Sequence, residues 1–430
     1  MGEIWSRPRP KRAVNHVSLV LSVACIAIFA LTSVLPEMNT ERYEHPSLTD
    51  YLPLASLIKR ASGALYVASL VLSGAAILHA LSCHFVSVRE SSHHRRQSQV
   101  SVWVPYILAW FLSVGFGAVP GTSIYALVSV AMALAVASLL NRQYLGSRLD
   151  LLVKFSFRAV VGISLLLGVI APGRAFAPYS VWPGGWFAGA DRLQGVLPHP
   201  NTFAWICALA VVVELFAMRS RLGFLFAGSA LVGLILSGSR TASMALAAGL
   251  LVAALYFVSR RNRTLKLLSW SLAPIFVVII IVVASGEGVN ASSFNGRQET
   301  WDAALRSFAQ NWFLGSGPGA YLVADGVTAN VPYAHNQILQ TAAELGIVGL
   351  LALGVHLWAM WRFLRSHPKS VLLAVLVSMW IVMFISENLL RFAATGFYCQ
   401  ILFFQLALYL STREADVTAG KPVGKNNIYV

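Results

Sequence analysis

Four side chains in this sequence have the chemistry and the setting of a reaction centre: Arg192, Arg240, Arg297 and His335. Arg192 sits in DRLQGVLPHPN (191–201), Arg240 in SGSRT (237–241), Arg297 in GRQETW (296–301) and His335 in PYAHNQ. Guanidinium groups bind phosphate oxygens in bidentate fashion and stay charged when partly desolvated, so arginines gathered on one face make a phosphate site. They can also neutralise a departing pyrophosphate where a metal would otherwise do so. The outer loops carry no DxD-like set of acids, so the expected site is metal-free and needs no cofactor. An imidazole beside such a cluster can take a proton from an attacking hydroxyl. Asn336 or Glu344 could orient that imidazole, and His199 is a further candidate for support.

Each residue also has a plainer reading. Arg192 can snorkel to an interface or pair with Asp191, and Arg297 can pair with Glu299 or Asp302. Asn336 is equally suited to capping a helix, as is Asn201 behind Pro198 and Pro200. Arg240 is harder to dismiss, because its turn holds no acid and needs an anion from elsewhere. A lone histidine is more often structural than catalytic, and the neighbouring arginines raise the odds for His335.

The elements that must position these groups are membrane helices. The 430 residues are 57% hydrophobic and only 11% charged, against about 25% charged in soluble domains. Apolar runs of roughly 20 residues recur along the chain, which places it in the all-α polytopic class with about 12 transmembrane helices. From the fifth span onward these runs cover about 153–171, 202–218, 222–236, 242–259, 267–285, 345–361, 370–386 and 394–411. Four cysteines fall inside apolar runs without metal-ligand spacing, so neither a disulfide framework nor a zinc site is expected. The first run lacks a small-residue cleavage site and reads as an uncleaved first helix.

The net charge of +15 is a topology signal. Most of the lysines and arginines lie in alternate loops and at the termini, the positive-inside pattern, so both ends are expected to be cytoplasmic and no nucleic acid is implied. The layout is nine spans in 1–285 with an outer loop at 172–201, a large outer loop at 286–340, three spans in 341–411 and a cytoplasmic tail at 412–430. The 286–340 loop is too long for a simple connection. Its aromatic residues, Trp301, Phe308, Trp312, Phe313 and Tyr333 among them, suit a small folded cap.

The sequence resembles the O-antigen ligase/polymerase superfamily of bacterial envelope glycosyltransferases. The resemblance rests on DRLQGVLPHPN, SGSRT, GRQETW, NWFLGSGPGAY (311–321) and HNQILQTAAELGIVGL (335–350), in that order and spacing. It implies a GT-C-like enzyme of the bacterial inner membrane that moves a glycan from undecaprenyl pyrophosphate to an acceptor hydroxyl at the periplasmic face. In the ligases the acceptor is a lipid A-core sugar. Loop arginines are held to bind the pyrophosphate, and a loop histidine to activate the acceptor. Arg192 and Arg297 match the arginine positions, Arg240 matches the SGSRT-type turn and His335 matches the histidine. An O-antigen or exopolysaccharide polymerase using the same donor shares these motifs, and the position of His335 favours the ligase. A flippase or permease for a lipid-linked glycan is the third reading. It expects charges deep among the spans, where the acids reduce to Glu214.

Overall fold

The computed structural model describes residues 142–180, 185–187, 189–197, 199–217, 221–258, 297–317, 334–366 and 371–387. The chain divides into two units, 1–101 with 124–152 and 102–123 with 153–430. Every described residue beyond 152 belongs to the second. The first four expected spans, the last one, and the stretches 259–296 and 318–333 lie outside the described residues.

The described part is mostly helical. In chain order it contains α1 (Arg142–Ile170), the short α2 (Pro172–Ala175), β1 (Phe176–Ala177), β2 (Arg192–Leu193) and α3 (Pro200–Val212), which runs into a π-helical turn at Val213–Ala217. Then follow α4 (Arg221–Ser237), α5 (Arg240–Val258), α6 (Arg297–Gln310), α7 (Gln337–Ser366) and α8 (Val371–Ser386). The helices over 200–258 and 371–386 follow the apolar runs closely. α1 starts about ten residues before its run, because Arg142 to Asp150 contains no proline and mostly good helix formers. Among the described residues two helices, Arg240–Val258 and Gln337–Val355, are long and apolar enough to cross a membrane, and four shorter apolar helices accompany them.

Small residues let the helices approach. A Cβ on Gly249 of α5 would lie 2.8 Å from Met379 and 3.0 Å from Val375 of α8. On Gly233 of α4 it would lie 2.8 Å from Cys207 of α3. Close backbone approach through small residues is the packing expected where lipid removes the hydrophobic drive between helices. The opposite faces of α1 and α4 expose Leu166, Val169, Phe224, Leu225 and Val232.

α7 is two helices meeting at Gly346, whose φ of 61° and ψ of −156° break the ladder. The break frees backbone groups that must find partners. The 312–317 segment supplies all four: Ser316 and Gly317 donate N–H to the carbonyls of Ala343 (2.9 Å) and Glu344 (3.1 Å), and Ile347 and Val348 donate to those of Trp312 (2.8 Å) and Phe313 (3.3 Å). Two motifs separate in sequence, NWFLGSG and AELGIVG, are therefore one structural unit. It is tied to the end of α6 by Ser307 Oγ, 2.6 Å from Ser316 Oγ. Gly315 and Gly346 both have positive φ, and a Cβ on either would lie within 2.4 Å of opposing backbone atoms. Gly315→Ala or Gly346→Ala is expected to cost about 2–4 kcal/mol from backbone strain plus overpacking. A fall in thermal unfolding temperature in detergent checks this; an unchanged one refutes the docking.

Candidate active site

Arg192 is fixed by local pairing. β1 and β2 run antiparallel with Ala177 opposite Arg192 and Phe176 opposite Leu193, and Gln194 and Gly195 both donate to the Ala175 carbonyl. Asp191 accepts instead from Tyr179 N at 2.9 Å, so the neighbouring acid does not neutralise the arginine. The guanidinium turns inward. Its Nε donates to the Ser237 carbonyl at 2.8 Å and its Nη2 to Asn201 Oδ1 at 2.6 Å. Two glycines bracket it. A Cβ on Gly185 would lie 3.5 Å from Arg192 Cδ, and one on Gly238 (φ +64°) 3.5 Å from its Nε. Trp186 N–H closes the bracket on the Gly238 carbonyl at 3.2 Å.

A guanidinium has five N–H donors, and two are engaged here. Burial first, then the nearby charge of Arg240, lower the pKa of Arg192 from the ordinary arginine value, while Glu387 pulls it back up. Arg240 opens α5, directly after the Gly238 turn, and is exposed. The charge of Arg240 thus disfavours the charged form of Arg192.

His335 is buried at 8% exposure and has a φ of +47°, a left-handed conformation rare outside glycine. Ala334 before it is clamped at both ends: its N–H donates to Gln340 Oε1 at 2.8 Å, and its carbonyl accepts from Trp301 Nε1 of α6 at 2.7 Å. Asn336 after it caps α7, its Oδ1 accepting from the N–H groups of Ile338 (2.9 Å) and Leu339 (3.1 Å). Strain held by its surroundings in this way is characteristic of functional positions. It turns the imidazole so that Nδ1 meets Glu387 Oε2, at the end of α8, at 2.9 Å. A proton on Nδ1, donated to the carboxylate, would leave the lone pair on Nε2, the tautomer that a general base needs.

Glu387 closes the network. Its other oxygen, Oε1, accepts from Asn201 Nδ2 at 3.3 Å. One path of side chains thus runs from Arg192 through Asn201 and Glu387 to His335. Arg192 and His335 are brought into one network, and Arg240 is near enough for its charge to act on Arg192. Arg297 is the first residue of α6, one turn before the Trp301 that clamps Ala334. The supporting candidates are placed as follows. Asn336 is a cap, and Glu344 accepts from Gln340 Nε2. His199 is the N-cap of α3, its Nδ1 accepting from Asn201 N–H at 2.9 Å. Asn201 is therefore not the cap: Pro200 takes the first helical position, leaving the Asn201 side chain for Arg192 and Glu387. Glu387, an acid directly after an apolar run of sixteen residues, is the site residue the motifs missed.

Residues 206–354 match the family model described as O-Antigen ligase. No curated protein matches the chain.

Proposed function

We propose that this chain, which matches an O-antigen ligase family model over 206–354, is a glycosyltransferase. Its donor is a glycan on undecaprenyl pyrophosphate, and its acceptor is a lipid A-core sugar hydroxyl at the periplasmic face of the bacterial inner membrane. The family is membrane-integral. In this reading twelve spans hold both termini in the cytoplasm and residues 286–340 form the periplasmic cap.

One observation carries the reading: the path Arg192–Asn201–Glu387–His335 joins an anion-seeking arginine to an oriented imidazole. The acceptor oxygen attacks the anomeric carbon, the bond from that carbon to the pyrophosphate oxygen breaks, and the hydroxyl proton passes to Nε2 of His335. Arg192, Arg240 and Arg297 take up the charge that develops on undecaprenyl pyrophosphate as it leaves. A single displacement inverts the anomeric centre, and no metal is required.

Arg192→Gln is expected to weaken binding of undecaprenyl pyrophosphate about 10- to 100-fold, the loss of charge-assisted hydrogen bonds. Chelation of divalent ions is expected to leave transfer unchanged. Wild-type binding by Arg192→Gln would remove that residue from the donor site.

A further inference from the structure

We infer that Asn201 is a positioning residue that holds the donor-anion site and the base in register; the inference rests on the roles given above to Arg192 and His335. A guanidinium offers only donors and an ionised carboxylate only acceptors. Arg192 and Glu387 could therefore meet directly, and each would then be neutralised by the other. The Asn201 amide prevents this by accepting from Arg192 Nη2 at 2.6 Å with Oδ1 and donating to Glu387 Oε1 at 3.3 Å with Nδ2. Only this amide orientation satisfies both neighbours. The backbone is fixed as well, since Asn201 N–H is held by His199 Nδ1 at 2.9 Å and Pro200 precedes it in the first turn of α3. Arg192 keeps its remaining donors for an anion, and Glu387 keeps its second oxygen for His335 Nδ1.

Aspartate is the informative substitution, because it still accepts from Arg192 but repels Glu387. Among the described residues Glu387, at the end of α8, meets His335 directly; Glu344 lies on α7, the helix that follows His335, and His199 caps α3. Arg192 and Arg240 are reached through Asn201, and Asp302 and Arg306 lie on α6. A second carboxylate beside Glu387 makes His335 easier to protonate.

The test is the pH dependence of glycan transfer by purified full-length protein with undecaprenyl-pyrophosphate-linked glycan and lipid A-core. Asn201→Asp is expected to move the acid limb of kcat/KM up by about one pH unit and to raise the donor KM about tenfold, because its carboxylate pairs with Arg192 and offsets the charge offered to the donor. Asn201→Ala is expected to raise the donor KM and lower kcat, each about tenfold. If Asn201→Asp does not yield folded protein, Asn201→Ala decides through a double-mutant cycle with Arg192→Gln: non-additive losses support the bridge, and additive ones overturn it. Equal losses at all pH values in both Asn201 variants would mean a packing role and overturn the inference. His335→Ala separates the two levels. A wild-type rate in that variant overturns the base assignment and this inference together. An inactive His335→Ala with an unmoved limb in Asn201→Asp overturns this inference alone.

Discussion

His335→Ala is expected to lower glycan transfer by about two to four orders of magnitude, the usual contribution of a positioned general base. Donor binding is expected to stay near wild type, since the variant leaves the guanidinium of Arg192 on Ser237 and Asn201. The loss should appear in kcat, the signature of an interaction made in the transition state. Glu387→Gln keeps a hydrogen-bonding group on Nδ1 but gives up the charge that favours the developing imidazolium. It is expected to lose about 10- to 100-fold, as partners of functional histidines commonly do. Transfer should also fall on acidification, because imidazolium cannot accept the acceptor's proton. Rates from single-turnover transfer check all three statements, and a loss confined to donor KM would contradict the assignment.

Glu214→Ala is expected to give the largest loss of stability. Glu214 opens the π-helical turn after α3 and is almost wholly buried. Arg158 of α1 clamps it with two hydrogen bonds, Nε to Oε1 at 2.6 Å and Nη2 to Oε2 at 2.9 Å. The Arg158 guanidinium also lies 4.2 Å from the centre of the Phe226 ring. Removing one partner strands the other charge in an apolar bundle, at a cost of about 3–5 kcal/mol. Replacing both by leucine is expected to be near neutral, because no charge is then stranded. Thermal unfolding of the single and double variants in detergent checks the pair. Equal stability of Glu214→Ala and wild type would show that the pair is not structural. A structural pair also accounts for Glu214, an acid that a transport pathway would otherwise claim.

Much of the described fold was legible because the bilayer sets a length and polarity that sequence displays directly. The apolar runs over 200–258 and 371–386 end where the helices end. Motif context marks Arg192, Arg240 and His335 as candidates but says nothing of their partners. Glu387 is 52 residues from His335 and 186 from Asn201, and only the packing of α3, α7 and α8 brings them together. No local period or spacing encodes that meeting. An acid directly after an apolar run was the one available signal. The break at Gly346 was hidden for a related reason: AELGIVGL reads as continuous helix, and the left-handed glycine is required only once the 312–317 segment docks. Asn201 looked like a cap because it follows two prolines, but Pro200 itself starts the helix and the cap falls to His199.

The central claim is that His335, set by Glu387, activates an acceptor hydroxyl against a glycan held by its pyrophosphate on arginines. The most direct test supplies purified wild type and His335→Ala with undecaprenyl-pyrophosphate-linked glycan, with and without lipid A-core, and resolves the products on a gel. The account predicts glycan on lipid A-core in the wild-type reaction alone, and only when lipid A-core is present. A ladder of longer lipid-linked glycan without lipid A-core would make the enzyme a polymerase with the same donor site. Wild-type transfer by His335→Ala would contradict the account at its centre.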